Sequence, residues 1–464
     1  MRVRDIAGSN DTIVALSTPP GENGIGIVRL SGPSTLEIVD KVFLPRNGAR
    51  LSEFKSHTIH YGHIADNGRV IDEVLLMVMR APKTYTREDI VEVNCHGGVV
   101  AVKEILDLFV CAGARIAEPG EFTKRAFMSG RIDLAQAEAV LDIITSRTSD
   151  GLKMAQRQLN GETSRMLKKI RSGLLDIIAE IEAFINFPDE DLDIDKTSSF
   201  EAALEGIKRD LSGIIDSSDK GLILREGITT VICGKPNVGK SSLMNSFLRQ
   251  KRAIVTPVPG TTRDTIEEVI NVDGIPLKIV DTAGIMHAED ELTRESVDRS
   301  RHYMQGADLI LLVLDSSDKL NQQDLDIIDM VKDKKTLVVI NKTDLPEVLQ
   351  IDKIKSHLHD RKIIRVSAKE GMGLDDLKKA IYDIFWSGEV TAENILLSNS
   401  RHIEAARRAF EFVEKARRAA AERTPWEILA VDIKDGAQAL GTITGEVFDE
   451  DLLDTIFSRF CIGK

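Results

Sequence analysis

The segment GKPNVGKSS, residues 234–242, constrains the fold of this chain more than any other stretch. It carries the complete pattern GxxxxGK(S/T), follows the apolar run TTVIC and precedes the predicted helix SSLMNSFL. In such a strand–loop–helix unit, backbone N–H groups surround phosphate oxygens, the lysine contacts the terminal phosphates and the hydroxyl binds Mg²⁺. The pattern therefore predicts that Lys240 contacts phosphate and that Ser241 binds Mg²⁺; the alternative is an ordinary strand–turn–helix.

Three further motifs follow apolar runs downstream of this loop: DTAG at 281–284, NKTD at 341–344 and SAK at 367–369. The carboxyl ends of parallel strands form the edge at which ligands bind in open α/β sheets. We expect the Asp281 carboxylate to face the metal and Gly284 to contact a γ-phosphate. Asp344 can accept two hydrogen bonds from guanine that adenine cannot offer, so the motifs predict GTP rather than ATP.

The segment TPVPGTTRD, residues 256–264, lies between the phosphate loop and DTAG and is predicted to be the first switch. Thr262 is placed to complete the Mg²⁺ shell, although a plain surface loop is the alternative. Ras-type enzymes have a glutamine after DxxG that orients the attacking water. Here Ile285 follows, and an apolar side chain cannot orient water. No arginine is obviously placed as a finger within the chain, although Arg263 is a weak candidate. We therefore expect a low intrinsic rate of GTP hydrolysis unless something else supplies the charge and the base.

The position of the phosphate loop in the middle of the chain indicates an inserted domain. The 464 residues are enough for roughly three domains. Strand-like and helical runs predict a compact α/β or α+β unit over 1–125, helices over 126–218, a parallel α/β unit over 219–383 and helices again over 384–464. Two helical stripes need partners: Leu204, Ile207, Leu211 and Ile214, and Ile403, Ala406, Phe410 and Val413. An amphipathic helix cannot bury its stripe alone, so both helical segments are predicted to form one bundle that hosts the α/β unit.

Composition excludes several classes of protein. A net charge of −13 argues against a chain that coats nucleic acid indiscriminately, and no DNA partner is expected. The four cysteines are scattered without a CxxC pair, which disfavours a zinc site or a disulfide scaffold. The N-terminus has no signal-peptide core, and no apolar run reaches the about 18 residues of a membrane span. We expect a cytoplasmic protein without a membrane partner.

The chain resembles the MnmE (TrmE) family of bacterial tRNA modification GTPases over essentially all of its length. The resemblance rests on DTIVALSTPPGENGIGIVRLSG, EVNCHGG, EPGEFTKRAFMSGRIDLAQAEA, FPDEDLD, LREG, GKPNVGKSSLMN, VTPVPGTTRD, DTAG and the terminal FCIGK. It implies a multidomain protein: an N-terminal α/β folate-binding-like and dimerisation domain, a helical bundle, and a Ras-like P-loop G domain inserted into that bundle.

The resemblance and the motifs together give the expected nucleotide site. The GTP-binding residues are Asn237, Val238, Gly239, Lys240, Ser241, Ser242, Thr256, Pro257, Val258, Pro259, Gly260, Thr261, Thr262, Asp281, Thr282, Ala283, Gly284, Asn341, Lys342, Asp344, Ser367, Ala368 and Lys369. Ser241 and Thr262 are the expected Mg²⁺ ligands, and Lys240 and Thr262 are expected to be catalytic. In the family a K⁺ ion takes the place of the arginine finger, and the matching ligands are Asn237, Thr256, Val258 and Thr261. The family's water-orienting glutamate is matched by Thr293, which cannot act as a carboxylate base; Glu291 and Glu295 are nearby substitutes.

The resemblance also implies a site for a 5-formyltetrahydrofolate-type one-carbon donor. Its residues match Arg29, Glu92, Arg131 and Lys464. From the residues alone, Arg29 is a solvated charge at a strand end and Glu92 an ordinary strand residue. Cys461 is a suspected chemical participant in the family, whereas composition alone favours a small buried hydrophobe. His96 is interpreted as a packed or hydrogen-bonding histidine.

The resemblance finally implies a homodimer that works with an MnmG-like flavoprotein in a heterotetramer. Together they would add a carboxymethylaminomethyl-type group at C5 of the wobble uridine (U34) of certain tRNAs, with the FAD on the partner. Two alternatives remain open: a GTP-dependent switch in RNA or ribosome assembly, and a folate-binding protein whose G domain is only regulatory.

Overall fold

The computed structural model describes residues 11–186, 196–250, 267–281, 303–358, 361–386 and 395–464. The described residues fall into two compact units. The first contains those of Met1–Leu141, Gln158–Ser172 and Ala437–Lys464, and the second those of Asp142–Arg157 and Gly173–Gly436. Four of the described helices contain residues of both units: Leu134–Thr145, Ser149–Leu159, Glu162–Asn186 and Trp426–Thr444.

The first unit contains a seven-stranded sheet with helices. Its strands lie in the order β3-β4-β5-β6-β2-β1-β7, and the sheet is antiparallel except where β1 pairs with β7. The elements are β1 (Ile13–Leu16), β2 (Asn23–Ser31), α1 (Thr35–Asp40), β3 (Phe43–Pro45), a short 3₁₀ turn (Leu51–Glu53), β4 (Thr58–Asp66), β5 (Arg69–Met79), β6 (Ile90–Gly97), α2 (Val99–Cys111), β7 (Arg115–Ile116), α3 (Glu121–Met128), α4 (Leu134–Thr145) and, near the C-terminus, α15 (Glu450–Phe457).

The pairing of β2 with β6 separates an apolar face from a polar one. Val28 lies opposite Val93 and Leu30 opposite Val91, and all four are fully buried. Arg29, between Val28 and Leu30, lies opposite Glu92 on the other face, because successive strand residues alternate in direction. The register therefore places two of the predicted site residues side by side.

The second unit contains a six-stranded sheet in the order β13-β12-β11-β8-β10-β9, with every neighbouring pair parallel except β10 and β9. Strands β11 and β12 are buried along their whole length, which explains their uninterrupted apolar sequences. The elements are β8 (Ile228–Cys233), α9 (Lys240–Gln250), β9 (Glu267–Val272), β10 (Ile275–Asp281), β11 (Leu309–Asp315), α10 (Gln322–Val331), β12 (Thr336–Asn341), α11 (Ile351–His357), β13 (Ile363–Arg365) and α12 (Leu374–Phe385).

Helices from both sides of this sheet in the sequence pack together, as predicted. They are α5 (Ser149–Leu159), α6 (Glu162–Asn186), α7 (Lys196–Asp216) and α8 (Ser218–Glu226) before it, and α13 (Ser400–Ala421) and α14 (Trp426–Thr444) after it. Lys208 of α7 pairs with Glu414 of α13 at 2.9 Å, and Arg417 of α13 lies 3.4 Å from Glu205 of α7. The P-loop sheet is thus an insertion in a helical bundle.

Six of the eight residues of the two predicted stripes are buried, and Ile207 and Phe410 are the exceptions. Leu204, Leu211 and Ile214 of α7 are 4% exposed or less. On α13, Ala409 is fully buried, whereas Phe410 is only half-buried and its ring lies under the Lys208 ammonium, 6.0 Å from it. The stripe prediction was wrong at Phe410 because the helix presents the small neighbouring alanine to the bundle and leaves the large ring at the margin.

The chain enters and leaves the inserted sheet at neighbouring points. Gly221 of α8, before the sheet, has no room for a Cβ because the Leu397 carbonyl, after the sheet, lies against it. Leu224 and Ile395 share a small apolar cluster with Met154 and Trp386.

Among the helices that the structure describes, none combines the length and the hydrophobicity of a membrane-spanning segment.

We expect Glu414→Gln to weaken the contact between α7 and α13. Hydrogen bonds from Arg417, Lys208 and Arg418 hold the pKa of Glu414 well below its usual range. A depressed pKa gives stability that is complete above the unfolded-state value and is lost as the pH falls towards the folded-state value. The variant should lose about 1 kcal/mol of unfolding free energy at pH 7. The difference in unfolding free energy between the variant and the wild type should shrink as the pH falls below about 4.5.

Chemical denaturation at pH 7 and at several acidic pH values measures this difference. Glu411→Gln, at an exposed position on the same helix, is the matched control and should change stability little at any pH. An effect of Glu414→Gln that is equal at all pH values would contradict the assignment.

Candidate functional site

The carboxyl ends of four parallel strands carry the polar residues of the second unit. The phosphate loop follows β8, Asp315 ends β11, Asn341 ends β12, and residues 366–369 follow β13. Because these strands are parallel neighbours, the ends lie along one edge of the sheet. The described parts of the predicted nucleotide motifs therefore lie together.

The phosphate loop has the backbone that its sequence requires. Gly239 has φ +94°, and a Cβ there would clash with the amide nitrogen of Asn341, so a larger residue does not fit. Asn237 is exposed with φ +64°, a conformation that asparagine tolerates. Lys240, the first residue of α9, donates from Nζ to the carbonyls of Gly234 and Lys235, each at 2.9 Å. Its ammonium is thereby held over the loop.

The start of α9 has the donor chemistry of a phosphate and magnesium site. Ser241 and Ser242 are exposed in its first turn, and their hydroxyls are the hard oxygen ligands that Mg²⁺ prefers. Backbone N–H groups at a helix N-terminus favour anions. The residues present therefore fit a magnesium-bound phosphate.

The Asn341 amide connects two of the loops. Its Nδ2 donates to the Val238 carbonyl of the phosphate loop at 2.9 Å, and its Oδ1 accepts from the Ala368 N–H at 3.0 Å. Asn341 is 2% exposed. One buried side chain thus fixes the phosphate loop relative to the SAK segment.

The two charged residues of NKTD, Lys342 and Asp344, contact residues at the ends of neighbouring strands. Lys342 has φ +61°, and its Nζ lies 2.6 Å from Asp315 Oδ2. The exposed Asp344 accepts from Ser367 Oγ at 2.6 Å, and this bond lowers the pKa of the Asp344 carboxyl. Asp344 therefore stays an ionised acceptor at neutral pH, as guanine recognition requires. Lys369 is largely exposed and pairs with Glu370.

Several predicted residues lie outside the described ranges: Thr256, Pro257, Val258, Pro259, Gly260, Thr261, Thr262, Arg263, Thr282, Ala283, Gly284, Glu291, Thr293 and Glu295. The backbone of Asp281 ends β10 and pairs with Ile232.

Sequence reasoning missed Asp315, and it also missed the contacts of Lys235 with Asp318 and Asp324. Their only signal is the acidic segment after a buried strand, which by itself is typical of any surface loop.

A second group of predicted residues lies in the first unit, around the C-terminal tail. Arg29 donates from Nε to Glu92 at 2.7 Å and from Nη1 to the Gly463 carbonyl at 3.2 Å. The same carbonyl accepts from Ser17 Oγ at 3.3 Å. Arg29 is 20% exposed along its side chain, so its interpretation as a solvated strand-end charge was wrong.

Aromatic rings surround the cations of this group. The Arg29 guanidinium lies 5.7 Å from the centre of the Phe122 ring, and that of Arg131 lies 4.8 Å from the centre of the Tyr85 ring. Burial raises the pKa of Tyr85 despite its bond with Thr123 and the charges of Arg131 and Arg29. Sequence reasoning missed both rings, because nothing local connects them to the arginines.

The tail itself carries Cys461 and Lys464. Cys461 is exposed, so its interpretation as a buried hydrophobe was wrong, and Lys464 is half-buried. The Cys461 carbonyl accepts from the N–H groups of Gly120 and Lys464. His96 is exposed and bonds to Asp72 at 2.7 Å, which raises the pKa of His96 and confirms a hydrogen-bonding histidine. Arg29 thus contacts both Glu92 and the backbone of the tail next to Lys464, and the charges of Arg29 and Arg131 both act on Tyr85.

We expect Gly463→Ala to release the tail. Gly463 has φ +94°, and a Cβ there would clash with the Leu16 carbonyl. The variant should lose the bonds from Arg29 and Ser17 to residue 463, and its tail amides should exchange hydrogen roughly tenfold faster or more. Hydrogen exchange measured on residues 458–464 tests this, with Ile462→Ala, at an exposed neighbouring position, as the control. Unchanged exchange in Gly463→Ala would mean that this contact does not hold the tail.

Comparison with known proteins assigns a family. The description "GTP-binding protein TrmE N-terminus" matches residues 12–131, and "MnmE helical domain" matches residues 134–461. The protein of Alkaliphilus oremlandii named tRNA modification GTPase MnmE is 48% identical, with 98% of this chain and 99% of that protein covered. The protein of the same name from Alkaliphilus metalliredigens is also 48% identical, with 98% of this chain and 99% of that protein covered. Among solved structures, Aquifex aeolicus Era bound to GDP and AlF4⁻ is 30% identical over 40% of this chain and 66% of that chain, with a TM-score of 0.28. Because two family descriptions cover most of the sequence and relatives match it over nearly their whole length, this chain belongs to the MnmE (TrmE) family.

Proposed function

We propose that this chain binds and hydrolyses GTP in the service of tRNA modification, as the names of its relatives state for them. The observation that supports nucleotide binding is the common strand edge that carries the phosphate loop, NKTD and SAK, linked through the Asn341 amide. The ionised Asp344 supports guanine as the base, because only guanine offers two adjacent donors to one carboxylate. The GTP-binding set is that given from the sequence, including its members outside the described ranges.

The chain's own residues have separate roles in this proposal. Lys240 contacts the terminal phosphates, and Ser241 and Thr262 hold Mg²⁺. Asn237, Thr256, Val258 and Thr261 hold K⁺. When bound, K⁺ would supply the positive charge towards the phosphates that an arginine finger supplies elsewhere. Asn237 supports this role, because its side chain is exposed in the loop on a left-handed backbone. Two copies of the chain bring their G domains together to complete the site.

We expect GTP hydrolysis to depend on K⁺. Replacing K⁺ by Na⁺ should slow turnover about tenfold or more, since the cation offsets charge that develops in the transition state. Asn237→Ala should be slow in both salts, and Asn47→Ala, which changes an exposed asparagine of the other unit, should behave like the wild type. Turnover is measured as phosphate release at equal ionic strength, with ATP as the base control. Equal wild-type rates in K⁺ and Na⁺ would contradict the potassium role.

The tail group in the first unit is proposed to bind the one-carbon donor. Arg29, Arg131 and Lys464 give cations that suit a carboxylate tail, and the half-buried ring of Tyr85 gives flat apolar surface for a heterocycle. The folate supplies the one-carbon unit when bound. Cys461 is exposed on the tail, two residues before the Gly463 carbonyl that Arg29 contacts, and is the proposed chemical participant.

The complete activity is proposed to need further components. An MnmG-like flavoprotein contributes FAD in a heterotetramer with a homodimer of this chain. The product is a carboxymethylaminomethyl-type group at C5 of U34 in certain cytoplasmic tRNAs. GTP-driven closure of the G domains moves the helical bundle that hosts them.

Nucleoside analysis of tRNA tests this part of the proposal. Cells that lack the chain should lose the modified U34, and the wild-type chain should restore it. Cys461→Ser should restore none, whereas Cys111→Ser, at another exposed cysteine of the same unit, should restore it fully. Unchanged U34 in cells without the chain would favour an RNA or ribosome assembly switch, and full restoration by Cys461→Ser would exclude a chemical role for that thiol.

A further inference from the structure

Lys235, the second residue of the phosphate loop, makes contacts that its motif does not require. Its Nζ lies 2.7 Å from Asp318 Oδ2 and 3.0 Å from Asp324 Oδ2. The Lys235 side chain is 10% exposed and that of Asp324 3%. The ammonium is therefore held by Asp318, in the segment between β11 and α10, and by Asp324, in the first turn of α10.

The acceptor side of this contact is rigid. Asp324 forms a capping box with Asn321 at the start of α10: Asn321 Oδ1 accepts from the Asp324 N–H, and Asp324 Oδ2 accepts from the Asn321 N–H, each at 3.1 Å. Asp318 Oδ1 accepts from the Lys319 N–H at 2.8 Å. A capped helix end therefore fixes the carboxylate that holds Lys235.

The backbone of Lys235 contacts Lys240, the lysine that is proposed to contact phosphate. The carbonyls of Gly234 and Lys235 each accept a hydrogen bond from Lys240 Nζ. Whatever fixes the backbone of residue 235 also fixes the position of that ammonium. An ordered loop binds an anion more tightly because less conformational freedom is lost on binding.

We propose that Lys235 is a positioning residue of the nucleotide site, which anchors the phosphate loop to the start of α10 through Asp324 and Asp318. The inference rests on the proposed GTP binding. Lys235 acts through Lys240 and the loop backbone and does not contact the nucleotide. Burial by itself would lower the pKa of Lys235, but the bonds to Asp318 and Asp324 outweigh it and raise the pKa, so the anchor is charged at neutral pH.

Two other roles for Lys235 give different results. A second phosphate-contacting lysine would not need the carboxylates, so Asp324→Asn would leave affinity unchanged. A lysine that only stabilises the fold would change the melting temperature of its variants but not the affinity of the folded protein. If Lys235 anchors the loop, the affinity for nucleotide falls when either Lys235 or Asp324 is neutralised. Another cation at residue 235 then restores that affinity.

The test is titration of the full-length protein with fluorescent N-methylanthraniloyl-GDP, at a temperature where circular dichroism shows each variant to be folded. Lys235→Met should weaken binding about tenfold or more, the loss typical of a charge-assisted bond. Lys235→Arg, which can meet both carboxylates, should bind within about threefold of the wild type. Asp324→Asn should weaken binding by about as much as Lys235→Met. Lys362→Met removes a half-exposed lysine paired with Asp383 at 3.2 Å in the same unit, and should not change affinity.

Wild-type affinity in Lys235→Met or Asp324→Asn would overturn the inference, and so would equal losses in Lys235→Met and Lys235→Arg. If Lys235→Met does not fold, Asp318→Asn replaces it, because Asp318 is the exposed half of the anchor. That variant should bind about threefold more weakly, and an unchanged affinity would overturn the inference equally. Failure of the wild type to bind the nucleotide would instead overturn the proposed function.

Discussion

The nucleotide site of this chain depends on one buried amide. Asn341 ends a central strand and satisfies a carbonyl of the phosphate loop with one of its atoms and an N–H of the SAK segment with another. Both partners are buried, so each would lose a hydrogen bond inside the protein if the amide were absent. Gly239 then becomes necessary, because the amide occupies the space that a side chain at 239 would need. Asn341 therefore belongs to the NKTD motif and also holds the phosphate loop and the SAK segment together.

The sequence predicts the second unit well because its information is local. A phosphate loop, a base-reading motif and uninterrupted apolar strands each identify themselves within a few residues, and the rule for parallel sheets puts their ends together. The insertion was predictable for a different reason: two amphipathic segments each needed a partner, and α7 and α13 provide it for each other. What the motifs do not contain is the support behind them. Asp315, Asp318 and Asp324 are ordinary acidic residues until the sheet brings Lys342 and Lys235 to them.

The first unit was less accessible to sequence reasoning. Strands β3, β4 and β7 were not predicted, since their apolar residues are few or alternate with polar ones. The pairing of Arg29 with Glu92 follows from strand register, and the hydrogen bond from Arg29 to the tail joins residues 434 positions apart. Composition misled at Cys461, because cysteine is usually buried and this one lies on an exposed tail. The resemblance to a family named the residues of this group, but only the fold shows that rings of Tyr85 and Phe122 lie against the arginines.

The contact between Gly221 and Leu397 has a consequence for how such a protein can arise and be altered. Because the chain goes out to the inserted sheet and comes back at one place, the helical bundle closes around two adjacent chain ends, whatever lies between them. A compact module whose own termini are close can be accepted at such a point without rebuilding its host. The architecture is therefore modular at the level of a gene: one recombination event at this junction could exchange the nucleotide-binding cassette for another and leave the surrounding helices intact.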